Sequence, residues 1–249
     1  MIERIFADIK PDFSAFPSDN PIIGRICAYY RAYGAGYDFC RFYIGGDCLI
    51  MRYESELLIY AGKNADFDEL LFFIQAQGDC TVTVNEEFGG IFEKSHGNTA
   101  QKLYKMSRRC DGDKPDCAAE LSDEYSAVGE VIKDSFGLCG GAYDGWYADI
   151  CHRVRHGVSR IAVIKKDGRV AAVCVVMYQS GGEGFLSDIC VRDEYRGQGL
   201  GREILGAVEN LCGADRLSLV CKEENIGFYR RCGFEITGAL YKSENIQIK

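Results

Sequence analysis

"ICVRDEYRGQGLGREIL", residues 189–205, decides how the C-terminal half of this chain folds. A strand-like run, "EGFLSDICV", leads through charged loop residues to glycines at 197, 199 and 201, and then into a helical stretch. That stretch sets Leu200, Ile204, Leu205, Val208, Leu211 and Cys212 on one apolar face. Glycines in the turn let the backbone approach a ligand with no Cβ atoms in the way. The N–H groups of the first helical turn then face the same space, beside the positive end of the helix dipole. Such a place binds an anion, and Arg196 and Arg202 add formal charge to it. The same spelling, Arg-x-x-Gly-x-Gly, occurs as "RAYGAG" at 31–36 in the reverse context, ending a helix and entering a strand. There Gly34 or Gly36 is expected to serve as a helix C-cap and turn.

Other phosphate-binding loops do not fit. A dinucleotide loop needs Gly-x-Gly-x-x-Gly, and counting from Gly197 or from Gly199 reaches Arg202 or Ile204 instead. The Gly-Lys-Ser/Thr of a Walker loop is absent. What remains is a pyrophosphate held mainly by backbone. The formal charge of −8 argues against nucleic acid as a partner. No run of about 18 uninterrupted apolar residues argues for a membrane span, and the opening "MIERIFADIKPDF" lacks a signal-peptide core. A cytoplasmic location is the expectation. The thirteen cysteines include no Cys-x-x-Cys pair, and Cys174, Cys190 and Cys221 sit in apolar runs, where they read as small hydrophobes.

Residues 106–122, "MSRRCDGDKPDCAAELS", are the most linker-like stretch and place a domain boundary, giving an N-terminal α/β domain at 1–115 and a second domain at 116–249. In the second, "SDEYSAVGEVIKDSFG" predicts a helix with Ser122 as N-cap, an apolar face of Val128, Val131, Ile132 and Phe136, and Gly137 at its end. "YDGWYADICHRVRHG" predicts another helix. "SRIAVIKKDGRVAAVCVVMYQ" predicts a hairpin turning at Asp167-Gly168. Strand 183–191, the glycine loop and its helix, strand "RLSLVCK", short helix "ENIGFYRRC" and strand "FEITGALY" follow. The first half has a similar rhythm: helix "PIIGRICAYYRAYG", three strands in 38–62, helix "ADFDELLFFIQAQG" and strand "CTVTVN". Both halves are α/β with mixed pairing; duplication and shared α/β grammar both account for the likeness.

The glycine loop together with "ENIGFYRRCGF" at 224–234 resembles the GNAT superfamily of N-acetyltransferases. Its pyrophosphate motif, Arg/Gln-x-x-Gly-x-Gly/Ala, opens a helix after a strand. Its second motif, Asn-x-x-small-x-x-Phe-Tyr-x-x-x-Gly-Phe in looser or tighter forms, comes about 25 residues later. The resemblance spans roughly residues 120–245 and implies a GNAT-like mixed central sheet flanked by helices, preceded by a smaller α/β domain. In the first half, the loop "GKNADFD" has no Arg-x-x-Gly-x-Gly, so a duplicated first half would have lost its cofactor loop.

What the resemblance implies is acetyl transfer from acetyl-CoA to an amine acceptor by direct attack. Arg196, Gly197, Gln198, Gly199, Leu200, Gly201 and Arg202 would hold the pyrophosphate. Backbone groups of Ile189, Cys190 and Val191 would meet the pantetheine arm and the thioester carbonyl, where oriented N–H donors stabilise an oxyanion. Tyr229 would protonate the departing thiolate; its other reading is packing against Phe228 and Phe234. Asn225 would bond the cofactor arm, or else cap a helix. Asp188 would be the general base, or a structural carboxylate. His152 and His156 share a helix face without an evident third ligand, so no metal is expected. Trp146, Tyr147, His152, Arg153, Arg155 and His156 would border the acceptor, with Arg153 and Arg155 either meeting an acceptor carboxylate or forming a solvated basic face. A homodimer is compatible with this reading. The rival to an enzyme is a non-catalytic acyl-CoA binding or sensing module.

Overall fold

The computed structural model describes residues 1–8, 11–95, 100–110 and 118–243. In chain order the strands and helices are β1 (Glu3–Ile5), α1 (Pro21–Tyr33), β2 (Cys40–Gly45), β3 (Cys48–Tyr53), β4 (Glu56–Ala61), α2 (Phe67–Ala76), β5 (Thr81–Asn85), α3 (Glu86–Ser95) and β6 (Gln101–Arg109). Then come β7 (Ala119–Leu121), α4 (Tyr125–Phe136), α5 (Gly140–Arg155), β8 (Arg160–Lys166), β9 (Arg169–Ser180) and β10 (Glu183–Val191). The chain ends with α6 (Leu200–Cys212), β11 (Arg216–Cys221), α7 (Ile226–Arg231) and β12 (Glu235–Ser243). Two compact units result. The first comprises Met1–Met106, Cys221–Gly227 and Ile236–Lys249; the second comprises Ser107–Val220 and Phe228–Glu235.

The first unit orders its strands β1-β2-β3-β4-β5-β12-β6. β1 to β4 pair antiparallel in sequence, β4 and β5 pair parallel, and β12 returns antiparallel to β5 with Tyr241 opposite Val84. Its core gathers Ile50, Leu57, Ile59, Val82 and Val84 from the strands with Leu70, Ile74, Phe88 and Phe92 from α2 and α3. Asn20 caps α1 by accepting the Ile22 N–H at 2.9 Å. Gly34 ends α1 at φ 65, giving its N–H to the Tyr30 carbonyl, so "RAYGAG" is the helix terminus and turn expected of it.

The second unit orders its strands β11-β10-β9-β8-β7, antiparallel except for the parallel pair β10 and β11. Helices α4 and α6 both pack on β9, which is why "VAAVCVV" reads as an unbroken apolar run rather than an alternation. The hairpin turns at Asp167 and Gly168 with φ 52 and 73, as the Asp-Gly pair predicts.

Four local expectations need correction. Helix α4 begins at Tyr125, and the Ser122 hydroxyl instead accepts the Glu124 N–H at 3.1 Å, making a turn before the helix. Phe136, at the last position of α4, is half exposed, while Val128, Val131 and Ile132 are wholly buried. On α6 the buried face includes Ala207, and Leu211 lies at its edge. The linker-like stretch is largely ordered at both ends, with 106–109 in β6 and 119–121 in β7; residues 111–117 lie outside the described residues. Charge and Gly obscured β6 and the short edge strand β7, and β1 and α3 likewise gave no sequence signal.

Candidate functional site

The glycine loop follows an irregular strand. β10 pairs with β11 over four positions, from Glu183↔Arg216 to Leu186↔Leu219, and then runs on through Ser187–Val191 without it. On its other side the register to β9 jumps between Ser187↔Val175 and Cys190↔Val173. Asp188 and Ile189 therefore stand opposite one residue, a β-bulge, and Asp188 takes φ 46. A bulge bends its strand and increases the local twist, which turns the end of β10 away from the β11 ladder. The Ser187 hydroxyl donates to the Asp188 carboxylate at 3.1 Å. Cys190 points into the core formed by α4, α5 and β9. Burial pushes its thiol up to about 12, with Asp188 adding to the rise and the Ser135 hydroxyl and Arg196 opposing it. Only the backbone of Cys190 is thus available for chemistry.

After β10 the chain makes a 3-10 turn, Asp193–Tyr195, and enters the loop. Gly197 and Gly199 hold φ 76 and 85, and a Cβ at either would meet open space. Gly199 is the N-cap of α6 and supplies no side-chain bond; its carbonyl accepts the N–H of Arg202 and of Glu203. The N–H groups of Gly197, Gln198, Gly199, Leu200 and Gly201 have no acceptor among the described residues. Gly197, Gln198 and Gly199 are exposed, and unpaired N–H groups at a helix start are donors of the kind an anion accepts. Gly201 serves another purpose. A Cβ there would press on the Phe228 ring at 3.2 Å and on Val191 at 3.8 Å, so its absence lets α6 approach both.

The cationic side chains are accessible. Arg196 is more than half exposed; its guanidinium pairs with Asp193 at 2.8 Å and reaches the Val191 carbonyl at 3.3 Å. Exposed pairs of this kind contribute little and can be exchanged for a ligand anion. Arg202 and Gln198 are also exposed, and Gln198 donates to the Glu194 carbonyl at 3.4 Å. Arg192 is buried and fixes the exit of β10. Its Nε donates to the Val170 carbonyl at 2.8 Å, and its other nitrogens face Glu130 at 3.1 Å and Asp134 at 3.9 Å on α4.

Tyr229 is partly buried on α7, edge-on to Phe228 at 5.1 Å and to Phe234 at 5.9 Å. Its carbonyl accepts the N–H of Cys232 and of Phe234, closing the turn. Arg108, which sequence reasoning left in the linker, ties this turn down. It donates to the carbonyls of Cys232 (2.9 Å) and Leu205 (2.7 Å), pairs with Glu209 at 3.0 Å, and lies 5.1 Å over the Phe234 ring. No local pattern marks it, because all its partners are about a hundred residues away. Within the second unit the structure therefore brings Val191, Arg196, Gly201 and Phe228, with its neighbour Tyr229, into one neighbourhood. Asn225 stands apart in that respect: it groups with the first unit, is exposed, and gives its N–H to the Lys222 carbonyl at 3.1 Å.

On α5, Trp146 and Tyr147 pack partly against the core, and the rings of His152 and His156 lie 4.2 Å apart. Among the described residues no set of three His, Cys, Asp or Glu side chains could hold a metal ion. Arg155 is exposed. Arg153 is not a surface cation: at 2% exposure it bonds Asp149 through Nε (2.9 Å) and Nη2 (2.8 Å), and Nη1 donates to the Ser159 hydroxyl, which donates to the Met177 carbonyl. A buried guanidinium needs such partners, so it is not available to an acceptor.

Residues 157–236 match the family model for the acetyltransferase (GNAT) domain. Over 58 residues, 22% of the chain, the sequence is 38% identical to glucosamine 6-phosphate N-acetyltransferase 1 of Dictyostelium discoideum; the chain covers 37% of that relative's length. The fold is shared more widely. A GCN5-related N-acetyltransferase from Sphaerobacter thermophilus superposes with a TM-score of 0.56 at 17% identity, covering 95% of this chain and 97% of the other. One from Kribbella flavida gives 0.59 at 14% identity, covering 88% and 94%. A tandem GNAT protein from the clavulanic acid biosynthesis pathway gives 0.58 at 12% identity, covering 98% of each chain. The bulged strand, the glycine loop and α6 all lie inside the matched residues 157–236.

Proposed function

We propose that this chain is an N-acetyltransferase that takes acetyl-CoA as donor and an amine as acceptor. The observation that carries the reading is the row of unpaired N–H groups at 197–201, exposed at Gly197, Gln198 and Gly199, at the head of α6 and after the bulged end of β10, in the stretch that matches the GNAT family model. In this reading the pyrophosphate rests on Gly197, Gln198, Gly199, Leu200 and Gly201, with Arg196 and Arg202 adding charge. The pantetheine arm runs along Ile189, Cys190 and Val191, where β10 has left the β11 ladder. The division of labour follows: 116–249 carries the donor and 1–115 does not.

The reaction is a direct attack. The amine nitrogen bonds to the thioester carbonyl carbon, the carbonyl oxygen becomes an oxyanion facing backbone N–H groups, and the C–S bond breaks. Before the attack the acceptor ammonium loses one proton to Asp188, directly or through water; after it the thiolate takes the Tyr229 phenol proton, and the second proton of the attacking nitrogen returns to the phenolate. The bulge supports the second role by setting Asp188 out of the regular strand.

Thermal unfolding with acetyl-CoA tests the donor. Ligand at about 100 times its Kd adds roughly 2.7 kcal/mol of stability, and Gly199→Glu is expected to lose that gain. The absence of any shift at millimolar acetyl-CoA would remove the reading.

A further inference from the structure

The first unit contains the same strand–loop–helix–strand arrangement, and its own side chains fill it. β4 pairs with β5 in parallel over four positions, Glu56↔Thr81 to Ile59↔Val84, as β10 does with β11. Thereafter the two arrangements differ. β4 ends two residues later at Ala61, and its register to β3 is unbroken, with no bulge. The Asn85 side chain, 1% exposed, then spans the strands: Oδ1 accepts the Ala61 N–H at 2.8 Å, and Nδ2 donates to the Ala61 carbonyl at 2.8 Å and to Glu87. A carboxamide thus already makes the pair of bonds that an amide-bearing ligand arm would make there.

The loop to α2 is filled as well. Asp66 caps α2 by accepting the Glu69 N–H at 3.0 Å, and Asp68 and Glu69 occupy the first turn. The Asp47 carboxylate accepts the Asn64 N–H at 3.1 Å, and a Cβ at Gly62 would collide with it. The N–H groups of Gly62, Ala65 and Leu70 are given to the carbonyls of Asp47, Gly62 and Asp66. Asp47 and Asp66 thus take two of the N–H groups of this loop and helix head, and Asp68 and Glu69 add their carboxylates at the first turn of α2. A pyrophosphate would meet like charge there.

We infer that the first unit is a self-liganded counterpart of the donor-binding arrangement, so that the chain takes one acyl-CoA, in its second unit. The inference rests on the acyl-donor reading above. Titration calorimetry of acetyl-CoA into the full chain is expected to give one equivalent for the wild type and none for Gly199→Glu. Two equivalents, or binding kept in Gly199→Glu, would overturn the inference and leave the donor reading standing; no binding by either protein would overturn both. A second readout needs no cofactor. Amide exchange at Ala61 should quicken on the order of tenfold or more in Asn85→Leu, with wild-type acetyl-CoA affinity retained. Unchanged exchange there would also sink the inference.

Discussion

Gly199 sits at φ 85 with open space where a Cβ would be. An L-residue in that region costs about 1–2 kcal/mol, which a folded domain tolerates, so substitution there separates strain from charge. Gly199→Ala should lower the unfolding midpoint slightly and keep measurable acetyl-CoA binding. Gly199→Glu should unfold similarly but bind none, since its carboxylate would face the cofactor's phosphates. Loss of binding in both would point to backbone strain rather than charge. Tyr229 is tested by turnover. Tyr229→Phe keeps the ring contacts to Phe228 and Phe234 and removes only the hydroxyl. Its kcat should fall by about 100-fold or more with little change in KM for acetyl-CoA; wild-type turnover would retire the acid role.

Among the elements, α5 shows where sequence patterning misled. "HRVRH" looks like a solvated basic face, yet Arg153 is buried on Asp149 and Ser159. The available signal was the i, i+4 spacing of Asp149 and Arg153 beside buried Ile150. Arg153→Met should destabilise the protein by about 3–5 kcal/mol, because it strands a buried carboxylate. Asp149→Leu with Arg153→Met should recover much of that loss in denaturant unfolding; an additive double loss would mean that the pair does not act as a unit. For β10 the case is opposite. The strand is legible, but the bulge at Asp188 and Ile189 is not, since it arises from register against β9.

At the scale of the whole molecule, the described cysteines titrate in a common direction. Burial pushes Cys190 up to about 12 and Cys48, Cys110, Cys212 and Cys221 up to about 11, from a usual value near 9. Unfolded thiols ionise first as pH rises, so the folded state holds more protons above pH 9. Stability is therefore full below about pH 9 and falls as pH climbs towards 11–12. Urea unfolding at a series of pH values should show this decline, and it should be shallower in Cys190→Ala. A stability curve that stays flat to pH 11 would contradict the burial assigned to these thiols.

From residues alone came the α/β class, most helices and strands, the Asp-Gly hairpin, the opposite contexts of the two Arg-x-x-Gly-x-Gly copies, and the resemblance that the family match over 157–236 bears out. These are readable because capping, turn chemistry and apolar period act over a few neighbours along the chain. Other features depended on partners far away in sequence. β12 joins β5 of the first unit across some 150 residues, Arg108 reaches Leu205 and Cys232, and Asn85 closes onto Ala61. A buried polar group takes whichever partner the fold delivers, and strand register is set by the whole packed face. Local pattern thus determined which segments form, while tertiary pairing decided strand register, the bulge in β10 and which distant partners the buried polar groups found.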